Sequence, residues 1–160
     1  MTDTRYEVDL RTMDALSATD LYALLKLRVD VFVVEQTCPY PELDGKDASA
    51  LHLRLVDDGV LLASARLQPP ADAQTPARIG RVVVSPDHRG KHLGHALMRE
   101  AISACETAFG GAPIALSAQS HLRAFYASFG FEETSAEYVE DGIPHVDMAR
   151  RASPVSGEVA

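Results

Sequence analysis

The chain has two cysteines in 160 residues, Cys38 and Cys105. Two thiols are too few for a disulfide framework or a metal knuckle, and both read as reduced, packed side chains. Long apolar runs are missing as well. No unbroken aliphatic or aromatic stretch exceeds five residues, and Val31-Phe32-Val33-Val34 is four, against the roughly 18 to 20 residues of a membrane span, so no membrane partner is expected. Residues 1–7 carry neither a basic leader nor an apolar stretch; no secretory signal is read there, and a cytoplasmic location is expected. Positive charge is scarce: 15 Lys and Arg stand against 23 Asp and Glu, a formal net charge of -8. That balance argues against broad phosphate-backbone binding, so no nucleic acid is expected as a partner. What is present is an ordinary folding composition, 46% hydrophobic and 24% charged, in a length that suits one domain with its own core.

The scarce positive charge is concentrated. Between positions 78 and 99 stand Arg78, Arg81, Arg89, Lys91 and Arg99, with His88, His92 and His95, against Asp87 alone. Such an island in an acidic protein suits a small anionic ligand better than a long polyanion. His92 and His95 are three residues apart, but no carboxylate or third ligand sits at a spacing that completes a site, so no metal is expected.

Periodicity and punctuation give the element order. A strand over 6–10 leads to Ser17-Ala18-Thr19-Asp20, helix-capping side chains ahead of Leu21, Leu24 and Leu25 at helical spacing. That helix is expected to reach position 33, and Pro39 and Pro41 forbid its continuation. After a loop to about position 50, alternation predicts strands over 52–56 and 60–67, joined by the tight turn Asp58-Gly59. A buried strand over 78–84 precedes a helix over 93–109, which stops at Gly110-Gly111. A strand over 114–118, a helix over 121–129 and two strands, 131–139 and 145–150, complete the order. Residues 1–151 are expected to form one domain and 152–160 a flexible tail. This order predicts an α/β (α+β mixed) fold: a mixed sheet with helices packed on both faces.

The chemistry-bearing segment is Arg89-Gly90-Lys91-His92-Leu93-Gly94-His95, between the buried strand and the long helix. Glycines there let a ligand approach the backbone, and a helix start aims unpaired N–H groups and partial positive charge at an anion. A pyrophosphate fits. The spacing matches neither the kinase-type phosphate loop nor the dinucleotide fingerprint, and no nucleophile elbow supports a hydrolase.

This turn, preceded by Val82-Val83-Val84-Ser85-Pro86, resembles that of the GNAT acyltransferase superfamily, Arg/Gln-x-x-Gly-x-Gly/Ala, with His92 in place of the middle glycine. Phe125-Tyr126-Ala127-Ser128-Phe129-Gly130-Phe131 is similar to the superfamily's later Phe-Tyr-x-x-x-Gly-Phe segment. The stretches 27–36, 41–47 and 141–145 are similar to the ElaA-like branch. The resemblance implies a GNAT-like fold with a mixed six- to seven-stranded sheet, splayed near the middle. It implies N-acyl transfer from acetyl-CoA to a primary amine, by direct attack in a ternary complex, with a small-molecule or peptide amine as acceptor and a monomer or homodimer as the working unit.

On that resemblance the turn residues Arg89, Gly90, Lys91, His92, Leu93, Gly94 and His95 would hold the pyrophosphate, largely through backbone N–H groups. Val82, Val83 and Val84 would meet the pantetheine arm by backbone, and a strand N–H would steady negative charge on the thioester oxygen. Tyr126 matches the family's acid for the departing thiolate; by spacing alone it could equally be a core residue beside Phe125 and Phe129. A base for the amine is open among Glu35, His145, Asp44, Glu133 and His52, with Glu35 and His145 expected to line the acceptor pocket. Two other functions fit the same residues: a catalytically silent acyl-CoA-binding module, and a nucleotide or phosphate binder using the basic island alone.

Overall fold

In a computed structural model, residues 4–152 are described; residues 153–160 of the expected tail lie outside them, as do residues 1–3. β1 (Glu7–Thr12) leads to α1 (Ala18–Val29), whose Ser17 hydroxyl accepts from the Asp20 N–H at 3.1 Å, the cap expected from the sequence. The regular helix ends at Val29, short of position 33. Asp30–Glu35 continues as a wider π-type turn, with Gln36 N–H donating to the Val31 carbonyl and Cys38 N–H to Val33.

β2 (Leu51–Asp57) and β3 (Val60–Gln68) form the expected hairpin, with Asp58 and Gly59 both left-handed at φ 48° and 78°, as a type I′ turn requires. β4 (Ala77–Val84), α2 (Leu93–Ala108), β5 (Ile114–Gln119) and the short α3 (Arg123–Ala127) follow, then β6 (Glu132–Glu133), β7 (Tyr138–Glu140) and β8 (Ile143–Arg150). The sheet has eight strands in the order β1-β2-β3-β4-β5-β8-β6, with β7 also on β8. The eighth arises because the single strand expected over 131–139 is broken. Between its two pieces the Ser135 hydroxyl takes the Asp147 N–H at 2.9 Å, a side chain standing in for the ladder.

All pairings are antiparallel except β4 with β5, and that one is short. The two strands pair only at Ala77↔Ile114 and Arg78↔Ala115. From Ile79 onward they part, so the sheet opens as the family resemblance implies.

The two faces of the sheet differ. On one, Leu53, Leu55, Leu67, Ile79, Ile114 and Leu116 pack against Leu97, Met98 and Ala101 of α2, all nearly inaccessible; at about 25 cal/mol per Å², this apolar burial is the main drive for folding. Cys105 lies in this core, while Cys38 is buried beside the loop after α1. On the other face α1 contributes Leu27 and Val31 against Val83, and beside them a layer of charge: Arg28 (1% exposed), Glu42, Asp47, Arg66 and His52 are all buried.

Candidate active site

The gap between β4 and β5 is a cavity of about 640 Å³, within the usual range for a small-molecule site. One wall is β4. Its side chains are committed to packing, Val83 toward α1 and Val82 and Val84 toward the α2 core. What β4 offers the gap is therefore backbone, along an edge that from Ile79 onward has no strand partner among the described residues. Backbone donors and acceptors need partners, and an extended, amide-containing ligand can supply them by adding as a strand.

β4 is also bulged. Against β3 its register passes from Ser64↔Val83 to Arg66↔Gly80, so Arg81 and Val82 together face Ala65. Arg81 takes a left-handed φ of 51° there, unusual for a residue with a side chain.

At the top of the gap α2 begins. Its N-terminus has no side-chain cap and no acid in the first turn, leaving N–H groups and the positive end of a 16-residue helix for an anion. Gly90 enters the turn at φ 79° and His92 at φ 59°. The left-handed backbone at His92 explains why glycine suits this position: the fold holds a conformation that glycine takes without strain and histidine tolerates. Gly94 lines the cavity, and a Cβ there would meet only the Phe125 ring at an ordinary 3.7 Å. Protein packing does not demand glycine at 94; its bare surface leaves room on the cavity side.

Tyr126, from α3, lines the cavity 7% exposed, ringed by Phe125 and Phe131. Its hydroxyl has no protein partner among the described residues, and burial pushes its pKa up to about 12. It therefore stays protonated throughout the neutral range. Across the gap, His145 of β8 faces Gln119 of β5 in register. Its Nδ1 lies 2.7 Å from the Ile143 carbonyl and its ring stacks on Tyr138 at 6.0 Å and 22°. That carbonyl can only accept, so Nδ1 carries a hydrogen, and the neutral form of the ring is the tautomer with its lone pair on Nε2.

The acetyltransferase (GNAT) domain model matches residues 31–152. The chain belongs to the GNAT acetyltransferase family. Protein ElaA of Escherichia coli is 45% identical over 137 residues, covering 84% of this chain and 90% of ElaA. The crystal structure of E. coli ElaA superposes with a TM-score of 0.86 at 42% identity, over 92% of this chain and all of that one. An acyl-CoA N-acyltransferase from Pseudomonas aeruginosa matches with a TM-score of 0.87 at 44% identity, over 91% and 99% of the two chains. GNAT membership carries acyl transfer in general and an acyl-CoA as the donor class.

Within this GNAT site the residues singled out from the sequence divide. Val82, Val83, Val84, Arg89, Gly94, Tyr126 and His145 line the cavity. Gly90, Lys91, His92 and His95 stand exposed around the start of α2, and Leu93 is buried in the core with only its N–H to offer. Glu35 does not fit the part of a base. It is exposed and held by Arg89 through two contacts of 2.6 and 3.0 Å, which draw its pKa below the ordinary carboxylate value. A base needs the opposite shift, and the partner that prevents it lies 54 residues away in sequence.

The weaker candidates fall for equally physical reasons. Asp44 is clamped by Arg66 and its pKa held far down, His52 is buried in the charged layer, and Glu133 pairs with Arg123 at 3.3 Å on β6. None of the three lines the cavity; His145 does. Tyr40, Arg81, Ser117 and Gln119 also line it, and no local sequence pattern marks them as site residues. Arg81 stood in the basic island, but nothing in Arg81-Val82-Val83-Val84 announces a bulge. No helix among the described residues is long and apolar enough to cross a membrane.

Proposed function

We propose that the chain transfers an acetyl group from acetyl-CoA to a primary amine by direct attack in a ternary complex. The observation that carries this reading is the Tyr126 hydroxyl, protonated, open to the cavity and without a protein partner among the described residues, in the same cavity as the edge of β4 that is unpaired among them. The uncapped start of α2, with Gly90 and Gly94, receives the pyrophosphate through backbone N–H groups; Lys91, His92 and His95 add local positive character when charged, and Arg89 stands at the rim. The edge formed by Val82, Val83 and Val84 pairs with the pantetheine amides and directs an N–H at the thioester oxygen as negative charge grows there.

An unperturbed amine with pKa near 10.4 is almost wholly protonated at pH 7, and holding it neutral takes about 4 to 5 kcal/mol. His145 Nε2 takes that proton directly or through a water molecule, a role supported by its position on the cavity wall. The nitrogen–carbon bond forms, the carbon–sulfur bond breaks, and Tyr126 donates its proton to the departing thiolate. A thiol with pKa near 8.5 gains from such a donor at neutral pH.

The test is thermal stabilisation by acetyl-CoA, CoA and adenosine 3′,5′-bisphosphate, followed by thiol release across a panel of amines. A ligand at about 100 times its Kd adds roughly 2.7 kcal/mol. Stabilisation with a gain from the pantetheine arm, and amine-dependent thiol release, supports the proposal. Binding without release from any amine favours the silent acyl-CoA-binding module, and equal stabilisation by the bisphosphate alone favours a phosphate binder.

A further inference from the structure

The charged layer under α1 is not used by the chemistry above, yet it reaches the cavity at one ionic member. Arg28 lies 2.7 Å from both Glu42 and Asp47. Arg66 is bonded to Asp44 through two contacts of 2.8 Å and to Asp47 at 3.2 Å. The third cation is Arg81. Its Nε lies 2.6 Å from Glu42 Oε1, its Nη2 donates to the Glu42 carbonyl at 3.1 Å and to Asp44 at 3.3 Å, and its guanidinium lies over the Tyr40 ring at 5.5 Å. Three cations and three carboxylates balance. The two stretches 27–36 and 41–47, far apart in character, are joined by this network.

Such a network is poor evidence of stability, because desolvating the charges offsets much of their attraction. Its geometry points elsewhere. Of the six, only Arg81 lines the cavity, and Arg81 is the residue whose left-handed backbone makes the bulge in β4. A side chain clamped at its far end restrains the backbone that carries it. Were the bulge to flatten, β4 would slip by one residue against β3, exchanging the faces of Val82, Val83 and Val84 and redirecting the backbone groups at the gap.

We infer that Arg81 is a positioning residue: the Glu42 and Asp44 carboxylates and the Tyr40 ring hold its side chain, and so fix the bulge that aims the edge of β4 at the donor thioester. The inference rests on the proposed acetyl-CoA reading.

The test compares wild type with Arg81→Gly, because glycine takes the left-handed backbone without strain and only the side-chain anchors are lost. Two readouts need no acceptor. One is the ratio of the Kd of adenosine 3′,5′-bisphosphate to that of acetyl-CoA, by calorimetry. The other is the infrared carbonyl stretch of bound acetyl-CoA labelled with ¹³C at the thioester carbon.

The expected result is a bisphosphate Kd within about twofold of wild type, an acetyl-CoA gain reduced by about tenfold, and a carbonyl stretch returned toward its value in water. Glu42→Gln, which keeps the side-chain shape, should move both readouts the same way and serves if the glycine variant does not fold. A wild-type gain and a wild-type stretch in either folded variant overturn the inference while leaving the acetyl-CoA reading intact. If wild type itself gains nothing from the pantetheine arm, the reading falls and the inference with it.

Discussion

Replacing Tyr126 with Phe separates chemistry from folding. Among the described residues the hydroxyl has no protein hydrogen bond to lose, and the ring's packing against Phe125 and Phe131 is retained. Folding stability at pH 7 should therefore stay within about 0.5 kcal/mol of wild type, since the hydroxyl opens onto the cavity and the ring keeps its contacts. Turnover should behave differently. A positioned acid contributes about 10² to 10⁴ in rate, or about 3 to 5 kcal/mol of barrier, while donor affinity changes little. The assay is amine-dependent thiol release at saturating acetyl-CoA, with donor affinity measured on the same preparation.

Alkali supplies an independent check of the same group. Unfolded, Tyr126 loses its proton near pH 10, but in the fold it holds it to about 12. A raised folded pKa gives stability that is fully present below pH 10 and is lost as pH rises through 12, here about 3 kcal/mol. The Phe variant should lack that part of the alkaline decline. Turnover within threefold of wild type would refute the assigned role; an equal alkaline decline would refute the burial argument.

Glu35→Gln frees Arg89 from its bidentate partner, so turnover should stay within a few-fold and the salt dependence of donor binding should steepen; a hundredfold fall would restore Glu35 as the base. His92→Gly removes a side chain from a left-handed backbone and should stabilise by about 1 kcal/mol, raising Tm by about 2 to 4 °C for a chain of this size. A fall in Tm would show that the histidine makes a compensating contact. Asp44 is held low by Arg66, and Asp47, though burial pushes it upward, is drawn below its ordinary value by Arg28 and Arg66. Depressed carboxyls stabilise fully above the unfolded pKa near 4 and lose that contribution as pH falls below it. Urea midpoints should decline gently from pH 7 to 5, because burial holds the His52 pKa down and unfolded His52 takes up a proton that the folded one resists, and should drop more steeply below 4, a drop that Asp44→Asn should soften.

Local signals survived the passage from sequence to structure well. The Ser17 cap, the Asp58-Gly59 hairpin, the strand over 78–84 and the helix behind the glycine turn depend on neighbours within a few residues, and each is where its pattern put it. Misplaced features depend on distant partners. The helix at Val29 gives way to a wider turn, the strand over 131–139 is interrupted where Ser135 bonds Asp147, and Glu35 meets Arg89. Arg28 is the sharpest case: a charged side chain on a helix reads as surface, and only Glu42 and Asp47 allow it to be 1% exposed. Tyr126 and His145 could be named because the resemblance ordered them along the chain, not because spacing alone brings them together.

The unlike faces of the sheet have a thermal consequence. Apolar burial, which fastens α2, weakens on cooling, and the penalty for dehydrating charge, which opposes the layer beneath α1, grows on cooling. Cold therefore loosens both sides of the sheet, each through different physics. Chilling is the stress the two layers share, and β4, packed between them, meets the loss from both faces.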